Sequence, residues 1–483
     1  MFNIGKANEI SRRAFMHRSG QLAVMGAASG YAMGLAGLSD AAAFETGGGY
    51  KALVCVFLLG GNDHANTLIP FDTANYDRYS AIRGGLPANG GIAIDRASLA
   101  NQVLNPLQPQ TLTDDLQLAL APTMPRLKAR FDQGALAPVL NVGPLITPLT
   151  RQQFDSGNNS MFPRPAKLFS HNDQQSTWQS GSPEGSVSGW GGRIGDLAAS
   201  SNTNSMFTAI NATGNAVFLS GDQTQPYGIS SSGAIEIAAL QRNLYGSSAA
   251  SQALNALLTN GTNHIFENDY AMANARSIQF SGFINDALQN ANLSTDFGEG
   301  NGLAQQLEIV ARLIAARNQL GVTRQVFLVA TGGFDNHDGL IGTHEGLLAG
   351  VDFALDAFYS AMLEIGVADR VTTFSASDFG RTLASNGDGS DHGWGGHHFV
   401  LGGAVNGGQF YGRAPEISVD SDDQVGRGRL LPTTSVDEYS ATLAKWLGVS
   451  PGEIPIVSPN IGNFNSPDLG FLRDVNQQAV APT

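Results

Sequence analysis

Tyr50-Lys51-Ala52-Leu53-Val54-Cys55-Val56-Phe57-Leu58-Leu59 is a nearly continuous apolar run that stops at Gly60-Gly61 and continues into Asn62-Asp63-His64. A strand covered on both faces of a parallel sheet reads this way, because neither face calls for alternating polar residues. Two later segments repeat the design. Val326-Phe327-Leu328-Val329-Ala330 runs into Thr331-Gly332-Gly333, and Val371-Thr372-Thr373-Phe374-Ser375-Ala376 runs into Ser377-Asp378-Phe379-Gly380. Between them, residues 344–364 place apolar side chains such as Leu348, Val351, Phe358 and Met362 at helical spacing, and residues 303–320 form a second helical stretch. Strand, helix, strand is a βαβ crossover, so the flanking strands should be parallel and share a C-terminal rim. The predicted fold is therefore α/β, a mainly parallel central sheet flanked by helices, in a single domain over residues 44–483. Residues 182–301 are rich in Ser, Asn and Gly and show no clean strand, which predicts an insertion of helices and long loops.

The chain opens differently. Arg12-Arg13 precedes a small-residue and apolar run over residues 22–38, and Ala41-Ala42-Ala43 offers a cleavage site. This is the layout of a twin-arginine signal peptide over residues 1–43, which predicts export by the twin-arginine translocase to the periplasm or beyond. The run is too short and too interrupted for a stable membrane span.

The net charge is −14, and −16 without residues 1–43, which carry four basic and two acidic side chains. Such a surface repels phosphate backbones, and no basic stripe offsets it, so nucleic acid is excluded as a partner. The single cysteine, Cys55, cannot form a disulfide within the chain.

Each of the three apolar strands ends in a glycine-rich turn bearing acidic groups: Asp63 with His64, Asp335 with His337, and Asp378. Ligands of open α/β sheets bind outside the carboxyl ends of the strands, so these side chains should converge. Carboxylate oxygen and imidazole nitrogen together suit zinc and similar divalent ions. Further on, Ser390-Asp391-His392-Gly393-Trp394-Gly395-Gly396-His397-His398 gathers three of the nine histidines in a glycine-rich loop.

The segments LLGGNDHANTLIP, FSHNDQQSTWQSG, GGFDNHDG, SDFGRTL and SDHGWGGHHFVLGG resemble the exported bacterial proteins catalogued as domain of unknown function 1501. The resemblance runs from about residue 51 to about residue 446. That family is in turn similar to the alkaline phosphatase and sulfatase superfamily, whose order of site residues can be carried over by position. It implies Asp63 as a metal ligand on the first strand and Ser170 as the nucleophile at a helix start, with Thr147 and Thr150 as alternatives and a plain helix cap as the other reading of Ser170. It further implies Asp335, His337, Asp378 and a late histidine, His392 or His397, as metal ligands. Where the superfamily pairs Asp with His, this chain has Asp378-Phe379, and a phenyl ring cannot ligate.

The implied activity is exported, metal-dependent hydrolysis of a phosphate or sulfate ester, using one or two divalent ions. Zinc is the first choice, with magnesium, calcium or manganese as alternatives. The substrate is an anionic ester, with Arg381 or Lys167 clamping an oxygen. The competing reading, favoured by Phe379, is a non-catalytic exported binding or assembly protein that keeps the same fold.

Overall fold

The computed structural model describes Phe44 and residues 49–474, apart from residues 215, 235, 236, 238 and 241. The twin-arginine segment and its cleavage site lie outside the described residues.

The main sheet has nine strands: β1 (Lys51–Leu58), β2 (Leu136–Gly143), β3 (Ala209–Asn211), β4 (Tyr227–Ser230), β5 (Gly233–Ala234), β6 (Arg324–Thr331), β7 (Val371–Ser377), β8 (Gly396–Leu401) and β9 (Thr434–Ser435). Their spatial order is β9-β2-β8-β7-β1-β6-β3-β4-β5. β1 pairs in parallel with both β6 and β7, so the crossover between those two passes over the first strand. β8 runs antiparallel between β2 and β7. Its first residues therefore stand at the rim where β1, β6 and β7 end.

Side chains of β1 alternate between two cores. Ala52, Val54, Val56 and Leu58 pack with Leu307 and Val310 of helix Gly302–Ala315 and with Leu348 and Val351 of helix Leu340–Glu364. Leu53, Cys55 and Phe57 pack on the other face with Tyr439 and Leu443 of helix Val436–Leu447 and with Trp190 and Ile194 of helix Trp190–Ala198. Both faces are covered, which is why the strand tolerates no polar alternation. One helix among the described residues, Leu340–Glu364, is long and apolar enough to cross a membrane, and here Leu348, Val351, Ala354 and Phe358 bury it in the core.

Residues 182–301 do more than insert. Ala209–Asn211 pairs in parallel with β6, and Tyr227–Ser230 extends that edge, before helices Ser248–Thr259 and Ile265–Gln289. The expectation of no strand there is corrected: β3 is three buried residues long, too short to display a period of two.

Candidate metal centre

Four side chains meet at the rim. Asp335 follows β6 past Gly332 and Gly333, His337 lies two residues on, His392 ends a short hairpin pairing Arg381–Ser385 with Ser390–His392, and His171 is the first residue of helix His171–Ser180, α1 below. Gly60, at φ +116°, lets the turn after β1 approach this loop: a Cβ there would lie 2.4 Å from the Asp335 backbone nitrogen.

Ligand atoms of His171, Asp335 and His392 lie within 4.8 Å of one another. His171 Nε2 is 3.3 Å from Asp335 Oδ2, and His392 Nε2 is 3.3 Å from Asp335 Oδ1. His337 Nε2 stands 3.2 Å from Asp335 Oδ1 and 2.9 Å from His392 Nε2. Adjacent donors on a tetrahedral zinc ion with bonds of about 2.0–2.1 Å are about 3.3 Å apart, so these spacings suit a shared cation.

The other nitrogen of each ring faces an acceptor. His171 Nδ1 is 2.6 Å from Asp378 Oδ2, His392 Nδ1 is 2.7 Å from the Phe169 carbonyl, and His337 Nδ1 is 3.5 Å from Asp391 Oδ1. With the proton on Nδ1, every neutral ring turns its Nε2 lone pair toward Asp335, the arrangement in which outer partners orient metal-binding histidines. His171 Nε2 is buried and has no hydrogen-bond partner, an unmet valence that a cation would satisfy.

The electrostatics of the rim are uneven. The Asp378 hydrogen bond, opposed by burial and aided by the Asp378 and Asp335 charges, raises the His171 pKa. Burial, with the charges of His171 and Arg381, lowers that of His392. Burial alone would push Asp335 up, but the Arg381 hydrogen bond and charge, then His171 and His337, hold it below the usual carboxylate value.

Of the side chains anticipated as ligands, Asp335, His337 and His392 come together, whereas Asp63, Asp378 and His397 stand outside the cluster. Asp63 is 1 % exposed: Oδ1 accepts from Arg83 and from the Asn66 N–H at 3.0 Å, and Oδ2 accepts from Ser390 Oγ at 2.7 Å. That ion pair neutralises its charge, and the three donors occupy both of its oxygens. Asp378 accepts from the Gly60 N–H and from Gln175 Nε2 besides facing His171 Nδ1, so both of its oxygens are engaged behind the cluster. His397 is buried beside His64, ring centroids 5.0 Å apart, and its Nδ1 accepts from the Asn141 N–H at 3.0 Å.

Arg381 cannot clamp a substrate. Its side chain is fully buried and donates to Asp335 Oδ1 at 2.7 Å, the Gly60 carbonyl at 3.0 Å and both oxygens of Ser390, so it fixes Asp335 in place. Ser170 is the N-cap residue of α1, and its Oγ donates to Asp173 Oδ2 at 2.9 Å.

The resemblance points to Ser170, and the residue that joins the cluster is its neighbour, His171. A signal was present in its spacing from Gln175, since residues four apart share a helix face, and both side chains reach Asp378.

No curated relative matches the chain. Among solved structures, Ps i-CgsB in complex with k-i-k-neocarrahexaose is similar at 10% identity and a TM-score of 0.36, over 87% of this chain and 78% of that one. The lipoteichoic acid synthase LtaP from Listeria monocytogenes is similar at 9% identity and a TM-score of 0.29, over 79% of this chain and 76% of that one. Residues 50–451, most of the chain, match the family described as "Protein of unknown function (DUF1501)", and the chain belongs to that family.

Proposed function

We propose that this protein is an exported, metal-dependent hydrolase of phosphate or sulfate esters. The observation that carries the reading is the convergence of three Nε2 atoms on Asp335, with His171 Nε2 buried and making no hydrogen bond. Nitrogen-rich donors with one carboxylate favour zinc over magnesium or calcium. An ion held there supplies Lewis acidity toward an ester oxygen and stabilises charge developing on it.

The chain's own residues do the rest. Ser170 is the nucleophile of this reading: Asp173, which already receives its hydrogen bond, takes the hydroxyl proton as Oγ bonds to phosphorus or sulfur. The ester alcohol leaves with a proton from solvent water, and a second water then cleaves the seryl ester, releasing the inorganic anion and returning Ser170 to its starting state. Lys167 Nζ, 3.2 Å from Asp173 Oδ1, fixes that carboxylate. The first N–H groups of α1 offer an anionic group positive potential. Lys167 and Arg427, each at least half exposed, add cationic charge near Asp173 and Asp391. Export through the twin-arginine translocase rests on Arg12-Arg13 and the cleavage site after them.

The test is a panel of phosphate and sulfate esters offered to zinc-loaded and chelator-treated protein, with Ser170→Ala beside the wild type. Turnover that needs both the metal and Ser170 supports the proposal. A second reading, a non-catalytic binding or assembly protein, draws on the Ser170 hydroxyl: its hydrogen bond among the described residues goes to Asp173 and to none of the four metal-facing side chains. Bound metal without turnover across the panel favours that reading.

A further inference from the structure

A second ion at this rim would need its own donors and space, and the side chains behind the first four supply neither. The two other strand-end carboxylates are both engaged. Asp63 is paired with Arg83 and capped by Ser390 and the Asn66 N–H, while Asp378 is held by Gly60, Gln175 and His171. Among the described residues, a single group of side chains has the spacing to hold a metal.

The space is filled by Phe379. Its ring, 1 % exposed, lies 4.9 Å from that of His171 and 4.6 Å from that of His392, centroid to centroid. On its other side it meets the turn after β1: a Cβ on Gly61, at φ +84°, would come within 2.4 Å of Phe379 Cε2. The phenyl ring therefore packs the gap between the Asn62-Asp63 loop and the ligand rings, where an apolar wall favours no cation.

We infer that the rim holds one transition-metal ion and no second, with Phe379 as the residue that closes the second position and braces His171 and His392. This rests on the metal reading above and deepens it.

The experiment is native mass spectrometry and elemental analysis of the folded chain titrated with zinc, with cobalt(II) loading followed in the visible spectrum. One ion per chain, lost in Asp335→Asn and retained in Asp63→Asn, is the expected result, together with one cobalt(II) band set that saturates at one equivalent. Two ions per chain, with the second lost in Asp63→Asn or Asp378→Asn, would overturn the single-ion inference alone. No ion at any zinc concentration would overturn the metal reading and this inference with it. Because the wild-type count decides the matter, a variant that failed to fold would not remove the test.

Discussion

Asp378 Oδ2 lies 2.6 Å from His171 Nδ1, and that contact leaves His171 Nε2 facing Asp335. An outer carboxylate in this position fixes the ring and raises its basicity toward a metal. Asp378→Asn keeps an acceptor of the same shape but removes the charge. The expected outcome is a zinc dissociation constant about ten-fold weaker or more, measured by chelator competition, with ion stoichiometry unchanged.

Replacing the histidines one at a time separates the centre from its surroundings. His171→Ala and His392→Ala should lose bound zinc almost entirely, and His337→Ala should weaken it. His64→Ala, His397→Ala and His398→Ala should retain it, since those rings lie in the buried layer behind the cluster. Elemental analysis after gel filtration reads the result, and retention in His171→Ala would remove that residue from the centre.

Asp63 and Arg83 form an ion pair with side chains 1% and 0% exposed. Breaking such a pair strands a buried charge and costs about 3–5 kcal/mol. Asp63→Ala should lower stability to denaturant by that order, and adding Arg83→Met should recover part of the loss. Zinc content of the folded fraction should not change.

Stability should fall in mild acid. Burial, outweighing the neighbouring Asp63 charge, lowers the pKa of His64 and of His344 to about 4, and burial with the His64 charge lowers that of His398 to about 3. Burial also depresses His397. A folded-state pKa below the unfolded value of about 6.5 means that the unfolded chain binds protons first, so stability is fully present above about 6.5 and is lost as pH falls toward 4. Unfolding midpoints at pH 7.5 and 5, taken in chelator so that metal plays no part, should show the drop. His344→Gln, which can keep a bond to Asn62, should flatten it.

The strands β1, β6 and β7 were readable because burial on both faces writes a continuous apolar run, and their glycine-rich ends pointed to the rim. Proximity in space was harder to read. Asp63 ends its strand as Asp335 and Asp378 do, yet its charge is neutralised by Arg83, twenty residues on, and no periodicity announces that pairing. An arginine after a strand end reads equally as an oxygen clamp or as a structural ion pair, and here Ser390 and Asp335 draw Arg381 inside as the latter. His171 lay one residue from the position that a resemblance singled out. The strand at Ala209–Asn211 was hidden by its length. For Asp63 and Arg381 the deciding partner lies outside the reach of local periodicity, and sequence pattern carries no record of it.

The first strand of the chain is laid between β6 and β7, and the four side chains of the candidate metal centre come from positions 171, 335, 337 and 392. Pairings across such sequence separations raise contact order and slow folding, because the loops must close before the contacts reward them. The ligands therefore have no common geometry until the sheet is complete. An ion that recognises only that finished rim leaves the folding rate unchanged and acts on the reverse step, slowing escape from the native state. Zinc should thus lengthen the lifetime of the folded chain without hastening its arrival.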